Sequence, residues 1–318
     1  MFKICILDSK TLGKDISLNE FSKFGELTIY ETTKNEEIID RIKDKDIIIT
    51  NKVILNENNL KFAKSLKLIC LTATGTNNID LKFTKSKNII VKNVPGYSTE
   101  SVAQHTFAML FYILESLEYY NEYVKSKKYT KEDIFTNLNK TFYELNNKTW
   151  GIIGLGTIGN RVANLAKAFN CKVIFYSTSG NNNNQYFIKC SLNELLENSD
   201  IVSIHAPLNE KTQNLITYEK IKLMKKNAIL LNVGRGGIVN EKDLACALDQ
   251  DLIFGAALDV LQNEPILEDN PLLKLKNKNK LLITPHIAWG SIEARQRLIE
   301  EVFFNIEAFL KKESRNEV

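Results

Sequence analysis

Gly154-Leu155-Gly156-Thr157-Ile158-Gly159 is the stretch whose reading decides the fold. It follows a short apolar run, residues 150–153, that reads as a buried strand. It opens a segment carrying Ile158, Val162, Leu165, Ala166 and Phe169 at helical spacing. The next run, Lys172-Val173-Ile174-Phe175-Tyr176, reads as a second strand. In that setting each glycine has its own job. Gly154 permits a tight turn, Gly156 lets the backbone approach a pyrophosphate, and Gly159 lets helix and strand pack closely. The helix N-terminus adds unpaired N–H groups and partial positive charge. The competing reading is an ordinary glycine-rich turn, and the order strand, motif, helix favours dinucleotide binding over it.

Working outward, the same alternation continues in both directions. Upstream, residues 3–7, 27–30, 46–50, 68–71 and 89–92 read as strands, with helical stretches such as 36–43 and 58–63 between them. Downstream, strands are expected at 201–204, 228–233, 254–260 and 281–284, and helices at 192–197, 218–223 and 241–248. Repeated βα units predict an α/β fold of two Rossmann-like, doubly wound parallel-sheet domains with a cleft between them. One long helix is expected from residue 102 to about 123, capped by Ser98 or Thr99 with Glu100 in its first turn. Its many Phe, Tyr and Leu residues suit a core helix, or one that bridges domains and forms an oligomer interface. The polar segment 125–147 reads as an arm or a long connection, and 181–184 as a loop tip. A last helix, Ser291 to about Lys311, has an apolar face that needs a partner and could pack back on the N-terminal part. The expected domains are therefore 1–97 plus 291–318, a discontinuous substrate-binding domain, and 98–290, a dinucleotide-binding domain. The latter includes a linking helix and dimer arm over about 102–147.

Composition narrows the partners. The 318 residues include 42 Lys+Arg and 38 Asp+Glu, for a net charge of +4, and the charges are interspersed. That pattern argues against nucleic acid or a membrane surface as a partner. No run of about 18 apolar residues occurs, so no membrane span is expected. The opening apolar run is too short for a signal segment. Five scattered cysteines, an odd number without a C-x-x-C, fit reduced thiols and a cytoplasmic location. No metal site is expected.

The candidate chemistry lies at strand ends, where open α/β sheets bind ligands. Of the three histidines, His105 falls inside the long helix and reads as a packed or helix-surface residue. His205 and His286 each follow a strand and are the candidates. Arg235 ends a strand in a glycine turn, and Glu264 follows another strand in a Glu-Pro turn. Singly these are ordinary features. Together they suit hydride transfer to or from a 2-oxo or 2-hydroxy acid. An arginine clamps a carboxylate and polarises a carbonyl, a histidine trades a proton near neutral pH, and a carboxylate orients the imidazole.

These motifs, in this order, resemble the D-isomer-specific 2-hydroxyacid dehydrogenase family over essentially the whole chain. The matching stretches are residues 74–80, 93–99, the glycine motif, His205-Ala206-Pro207-Leu208, 232–236, 259–265 and 284–289. The resemblance implies Arg235, Glu264 and His286 as the catalytic set. It implies a two-domain subunit that dimerises, with the active site in the cleft, and backbone around Ala73, Thr74 and Gly75 as the substrate-carboxylate site beside Arg235 and His286. Thr157 and Ile158, with Gly154, Gly156 and Gly159, would meet the pyrophosphate. His205, Ala206, Pro207, Thr212, Val233 and Asp259 would lie along the rest of the dinucleotide. Residues 94–104 and 286–289 look most like glycerate dehydrogenases (hydroxypyruvate reductases). The implied reaction is reduction of hydroxypyruvate or glyoxylate to D-glycerate or glycolate with NAD, NADP being the second option. A dinucleotide-sensing corepressor or binding module on the same fold is the alternative.

The chain departs from the pattern at one place. The strand after the motif should end in Asp or Glu for the adenosine ribose, and here Ser177 stands there, with no acid anywhere between Arg161 and Asn193. Nor does an arginine follow the strand. Ser177 can bond a ribose hydroxyl but repels no phosphate, so NADH is expected as the better cofactor and NADPH as a usable one.

Overall fold

The structure, a computed structural model, describes residues 1–182 and 184–318; Asn183, within the run read as a loop tip, lies outside them. The chain divides into two compact units, Met1–Ser98 with Gly290–Val318, and Thr99–Trp289.

The first unit is built on five parallel strands: β1 (Phe2–Ile6), β2 (Gly25–Ile29), β3 (Ile47–Thr50), β4 (Leu68–Leu71) and β5 (Ile90–Lys92). Their order is β2-β1-β3-β4-β5. Short helices α1 (Ile38–Ile42), α2 (Glu57–Leu60) and α3 (Leu81–Ser86) connect them. β3 and β4 are buried at every position. That is why they read as unbroken apolar runs, as strands covered on both faces do. The strand order reverses beside β1. There the buried Asp8 carboxylate accepts from the N–H groups of Asn51 (2.9 Å) and Lys52 (2.7 Å) and from the Thr50 hydroxyl (3.1 Å). The ends of β1 and β3 are thus held together by a charge-assisted cluster.

The second unit opens with α4 (Thr99–Leu114) and α5 (Leu117–Lys125). The sequence predicts one helix here. The structure breaks it at Ser116, which is left-handed at φ 52°. Its N–H bonds the Ile113 carbonyl at 3.2 Å, tightening the last turn of α4. A short polar side chain tolerates that conformation better than the branched and aromatic residues around it. Seven parallel strands follow: β6 (Thr149–Ile153), β7 (Lys172–Tyr176), β8 (Ile188–Lys189), β9 (Ile201–Ile204), β10 (Ile229–Asn232), β11 (Gly255–Leu258) and β12 (Leu281–Ile283). They lie in the order β12-β11-β10-β9-β6-β7-β8. Between them run α6 (Thr157–Ala168), α7 (Leu192–Asn198), α8 (Tyr218–Ile221) and α9 (Glu241–Asp249). Side chains alternate between two cores. Trp150, Ile152, Ile229 and Leu231 enter one, while Ile153, Val202, Ile204 and Leu230 enter the other. Helices therefore cover both faces of the sheet. β8 is not legible in the sequence, because it has two residues, both exposed.

The chain then returns to the first unit as α10 (Ile292–Leu310). Ser291 caps it, its hydroxyl accepting from the Ala294 N–H at 3.2 Å. Arg295 reaches the Leu12 carbonyl (2.8 Å) and the Asp15 carboxylate (2.8 Å), and the Asn305 amide donates to Asn93 O (2.9 Å). Among the described residues no helix is long and apolar enough to cross a membrane.

Candidate active site

In the second unit the strand order reverses between β6 and β9, and the glycine motif leaves β6 at that point. Gly154 has φ 90°, and a Cβ there would stand 2.9 Å from the Ala206 backbone nitrogen. A side chain at Gly159 would strike the Gly154 carbonyl. At Gly156 a Cβ would meet nothing within 4 Å. The motif therefore packs tightly against its own strand ends and leaves open space only at its middle glycine, beside the N-terminus of α6. A pyrophosphate fits there, close to backbone N–H donors. Ala206 is enclosed from the other side too, since a Cβ at Gly234 would lie 2.8 Å from its carbonyl oxygen.

Several of the residues expected along the dinucleotide turn out to hold loops. Thr212 is fully buried; its hydroxyl donates to Pro207 O (2.7 Å) and accepts from Asn209 N–H (2.8 Å), closing the loop that carries Ala206 and Pro207. Val233, also buried, follows β10. Ser177 is buried at the end of β7, and its hydroxyl accepts from Asn182 N–H at 3.3 Å. Asp259 is 2% exposed, and its carboxylate is already engaged. It accepts from the Thr284 hydroxyl (2.6 Å) and from the N–H groups of Ile287 (2.8 Å) and Ala288 (2.8 Å). Its carbonyl takes the His286 N–H at 2.8 Å. Asp259 thus anchors the loop in which His286 sits at φ 54°, a left-handed conformation that a histidine keeps when its surroundings hold it there.

His286 Nδ1 lies 2.7 Å from Glu264 Oε2. An ionised carboxylate has no proton to give, so Nδ1 donates and Nε2 is left to carry or release the exchangeable proton. Glu264 is itself aimed by its other oxygen, which accepts from Leu261 N–H at 3.0 Å. Arg235 leaves β10 in a turn braced by Asn232, whose side chain donates to Arg235 O (2.9 Å) and accepts from Gly234 N–H (3.1 Å). Its guanidinium donates to Gly234 O at 2.8 Å. Among the described residues no carboxylate pairs with it, so most of its donors stay available to an anion.

His205, the other strand-end histidine, is placed differently. Trp150 Nε1 donates to Ser203 Oγ (2.8 Å), and Ser203 Oγ lies 3.0 Å from His205 Nε2. The Ser203 hydroxyl thus bridges the indole and the imidazole. His205 Nδ1 is buried without a hydrogen-bond partner among the described residues. Burial pushes this imidazole down to about 3, so it stays neutral near physiological pH. Of the two strand-end histidines, His286 is the one with a carboxylate beside it.

His105 escapes the sequence reading. Its Nε2 lies 3.2 Å from Thr284 Oγ1 and 3.7 Å from Asp259 Oδ1. It therefore supports the anchor behind His286, and no periodicity within α4 could have shown that. In the first unit, the loop of Ala73, Thr74 and Gly75 follows β4. Ala73 O accepts from Val94 N–H (2.9 Å), Thr74 O accepts from the Asn93 amide (2.7 Å), and the Thr74 hydroxyl donates to Val94 O (2.7 Å). The Ala73 and Thr74 carbonyls are taken, and among the described residues the N–H groups of Thr74 and Gly75 have no acceptor. That is the polarity an anion would meet. Among the described residues no group of His, Cys, Asp or Glu is placed to hold a metal ion.

Residues 107–288 match the family model described as D-isomer specific 2-hydroxyacid dehydrogenase, NAD binding domain. The hydroxypyruvate reductase of Blautia hydrogenotrophica is 36% identical over 317 residues, covering 97% of each chain. The glycerate dehydrogenase of Methylorubrum extorquens is 34% identical, covering 99% of this chain and 98% of its own. Among solved structures, an acyclic imino acid reductase in complex with NADPH and D-Arg superposes with a TM-score of 0.86 at 31% identity, covering 99% of both chains.

Proposed function

The chain belongs to the D-isomer specific 2-hydroxyacid dehydrogenase family, and we propose that within it the substrate is a small 2-oxoacid of the hydroxypyruvate or glyoxylate type. It is an NAD(P)-dependent oxidoreductase interconverting 2-oxoacids and D-2-hydroxyacids. The relatives named for hydroxypyruvate and glycerate support the narrower assignment to D-glycerate and glycolate formation.

The observation that carries the catalytic reading is the 2.7 Å pair of His286 and Glu264 on an anchored loop. The dinucleotide, when bound, supplies or accepts the hydride. His286, protonated, donates from Nε2 to the substrate oxygen as charge develops on it; in the reverse direction Nε2 removes that proton. Glu264 keeps Nδ1–H oriented and stabilises the imidazolium. Arg235, with no carboxylate partner among the described residues, binds the substrate carboxylate through two parallel bonds and draws charge from the adjacent carbonyl. In the first unit, the N–H groups of Thr74 and Gly75 offer donors of the same polarity. The pyrophosphate falls to Gly156, Thr157 and Ile158.

A homodimer is part of this reading. Residues beyond α5 expose Phe135 at 89% and Leu138 at 75%, with Ile134 beside them. Apolar side chains so close together on an irregular segment suit burial by a second copy. The five cysteines, all unpaired, suit the cytoplasm. One panel tests the substrate assignment: initial rates with hydroxypyruvate, glyoxylate, pyruvate and larger 2-oxoacids, each with NADH and NADPH. The highest kcat/KM is expected for hydroxypyruvate or glyoxylate. A larger, branched 2-oxoacid as the best substrate would overturn it.

A further inference from the structure

We propose that Lys189 makes the turn after β7 a site for the 2′-phosphate of NADP(H), so that this chain binds NADPH at least as tightly as NADH. The inference rests on the dinucleotide reading of the glycine motif and goes beyond it to the choice of cofactor.

The sequence leans toward NADH, because residues 177–182 bring no positive charge. Strand pairing changes that. β8 lies beside β7 in parallel register, Phe175 opposite Lys189. The Lys189 ammonium donates to the carbonyl of Gly180 at 2.8 Å. Gly180 closes a tight turn, its N–H bonding Ser177 O at 3.1 Å. That turn is joined to the glycine motif, since the Asn182 amide donates to Leu155 O at 2.6 Å and Gly154 N–H donates to Tyr176 O at 3.0 Å. The cation therefore stands on the turn at the place where Rossmann folds receive the adenosine ribose.

The remaining groups on the turn suit a phosphate. Ser177 Oγ accepts from Asn182 N–H and Ser179 Oγ from Asn181 N–H, both at 3.3 Å. The two hydroxyl oxygens lie 3.5 Å apart, so only one of them can spend its proton on the other, and that at a long distance. Hydroxyl donors and an ammonium with two further N–H bonds converge there, and no acid lies between Arg161 and Asn193 to repel an anion. Ser177 replaces the carboxylate that in NAD-specific folds bonds the ribose hydroxyls. Lys189 adds the charge that serines alone cannot, and a charge-assisted bond to phosphate is the stronger kind.

The test measures binding without turnover. The purified full-length protein is titrated calorimetrically with ADP and with 2′,5′-ADP, which differ in the 2′-phosphate and the length of the 5′ chain, and with NADH and NADPH, which differ in the 2′-phosphate alone. Wild type is expected to bind NADPH at least as tightly as NADH and 2′,5′-ADP more tightly than ADP, with both margins shrinking as salt rises. Lys189→Gln keeps a side-chain donor for Gly180 O and removes the charge. It should weaken NADPH and 2′,5′-ADP by about tenfold and leave NADH and ADP within about twofold, the size of one exposed charge-assisted contact. Lys189→Arg should retain the wild-type ratio. A wild type that prefers NADH, or a Lys189→Gln variant that weakens both cofactors equally, overturns the assignment of Lys189 while leaving the glycine-motif reading in place. Failure of NADH and NADPH alike to bind overturns the dinucleotide reading itself.

Discussion

Replacing Glu264 by Gln removes one negative charge from beside His286 and alters little else in size. The carboxylate oxygen and Nδ1 are 2.7 Å apart, and the side chains are 24% (His286) and 36% (Glu264) exposed. With charge centres about 4 Å apart, the attraction is about 1 kcal/mol in water and about 4 kcal/mol at an effective dielectric of about 20. A part-exposed pair lies between these limits, at about 2 kcal/mol. Glu264 holds Nδ1–H in place, so its loss removes both that attraction and the fixed aim of Nε2. In the variant, the Leu261 N–H would hold the new amide's oxygen on its own side. The amide N–H₂ would then face Nδ1–H, setting donor against donor. The assay is kcat/KM for 2-oxoacid reduction across about pH 5 to 10 at saturating cofactor. kcat/KM should fall by about tenfold or more across the range while NAD(P)H affinity stays within about twofold. Superimposable profiles for wild type and Glu264→Gln would refute the pairing of Glu264 with the proton donor.

Four further outcomes are expected. His286→Ala should lower kcat by about 10²-fold or more with NAD(P)H binding nearly unchanged, as loss of a general acid does; near wild-type turnover would reject its role. Arg235→Lys should raise KM for the 2-oxoacid about tenfold or more and also lower kcat, because a point charge cannot reproduce a bidentate clamp; an unchanged KM would place carboxylate binding elsewhere. Asp259→Asn turns one of the two accepting oxygens into an amide donor facing an N–H or O–H group, so it should cost about 1 to 3 kcal/mol of stability and reduce kcat, read from denaturant melts beside initial rates; unchanged melts would show the loop anchored by other groups. His205 gives an acid-stability effect. Its folded value of about 3 lies below that of the unfolded chain, so the unfolded state binds the extra proton and stability falls as pH drops from about 6.5 toward 3. His205→Gln should flatten that fall by up to about 1.4 kcal/mol per pH unit, and an identical slope would show the ring titrating normally.

Much of the fold is legible in the sequence. Local periodicity and the placement of Gly154, Gly156 and Gly159 are short-range properties, and they lead to the parallel α/β architecture because a fully covered sheet demands apolar runs such as residues 47–50 and 229–232. The strand-end residues Arg235, Glu264 and His286 are likewise visible as residue types at the right distance after apolar runs. The break at Ser116 is not, since it depends on one residue entering the left-handed region within an otherwise helical pattern. Other features require the sheet to be assembled. Which histidine has a carboxylate beside it depends on the loops after β11 and β12 being neighbours, as their strands are. That Asp259 is consumed in holding the His286 loop, with His105 behind Thr284, depends on α4 lying near the end of β12. That a lysine reaches the turn after β7 depends on a two-residue strand too short and too exposed to leave a hydrophobic signature. Sequence alone determined most of the elements and the kinds of side chain at their ends, because backbone preference and burial act over a few residues. Which of those side chains share a charge or a proton was decided only by tertiary structure, because hydrogen bonds and Coulomb contacts act across a few ångströms between residues 9 to 179 positions apart.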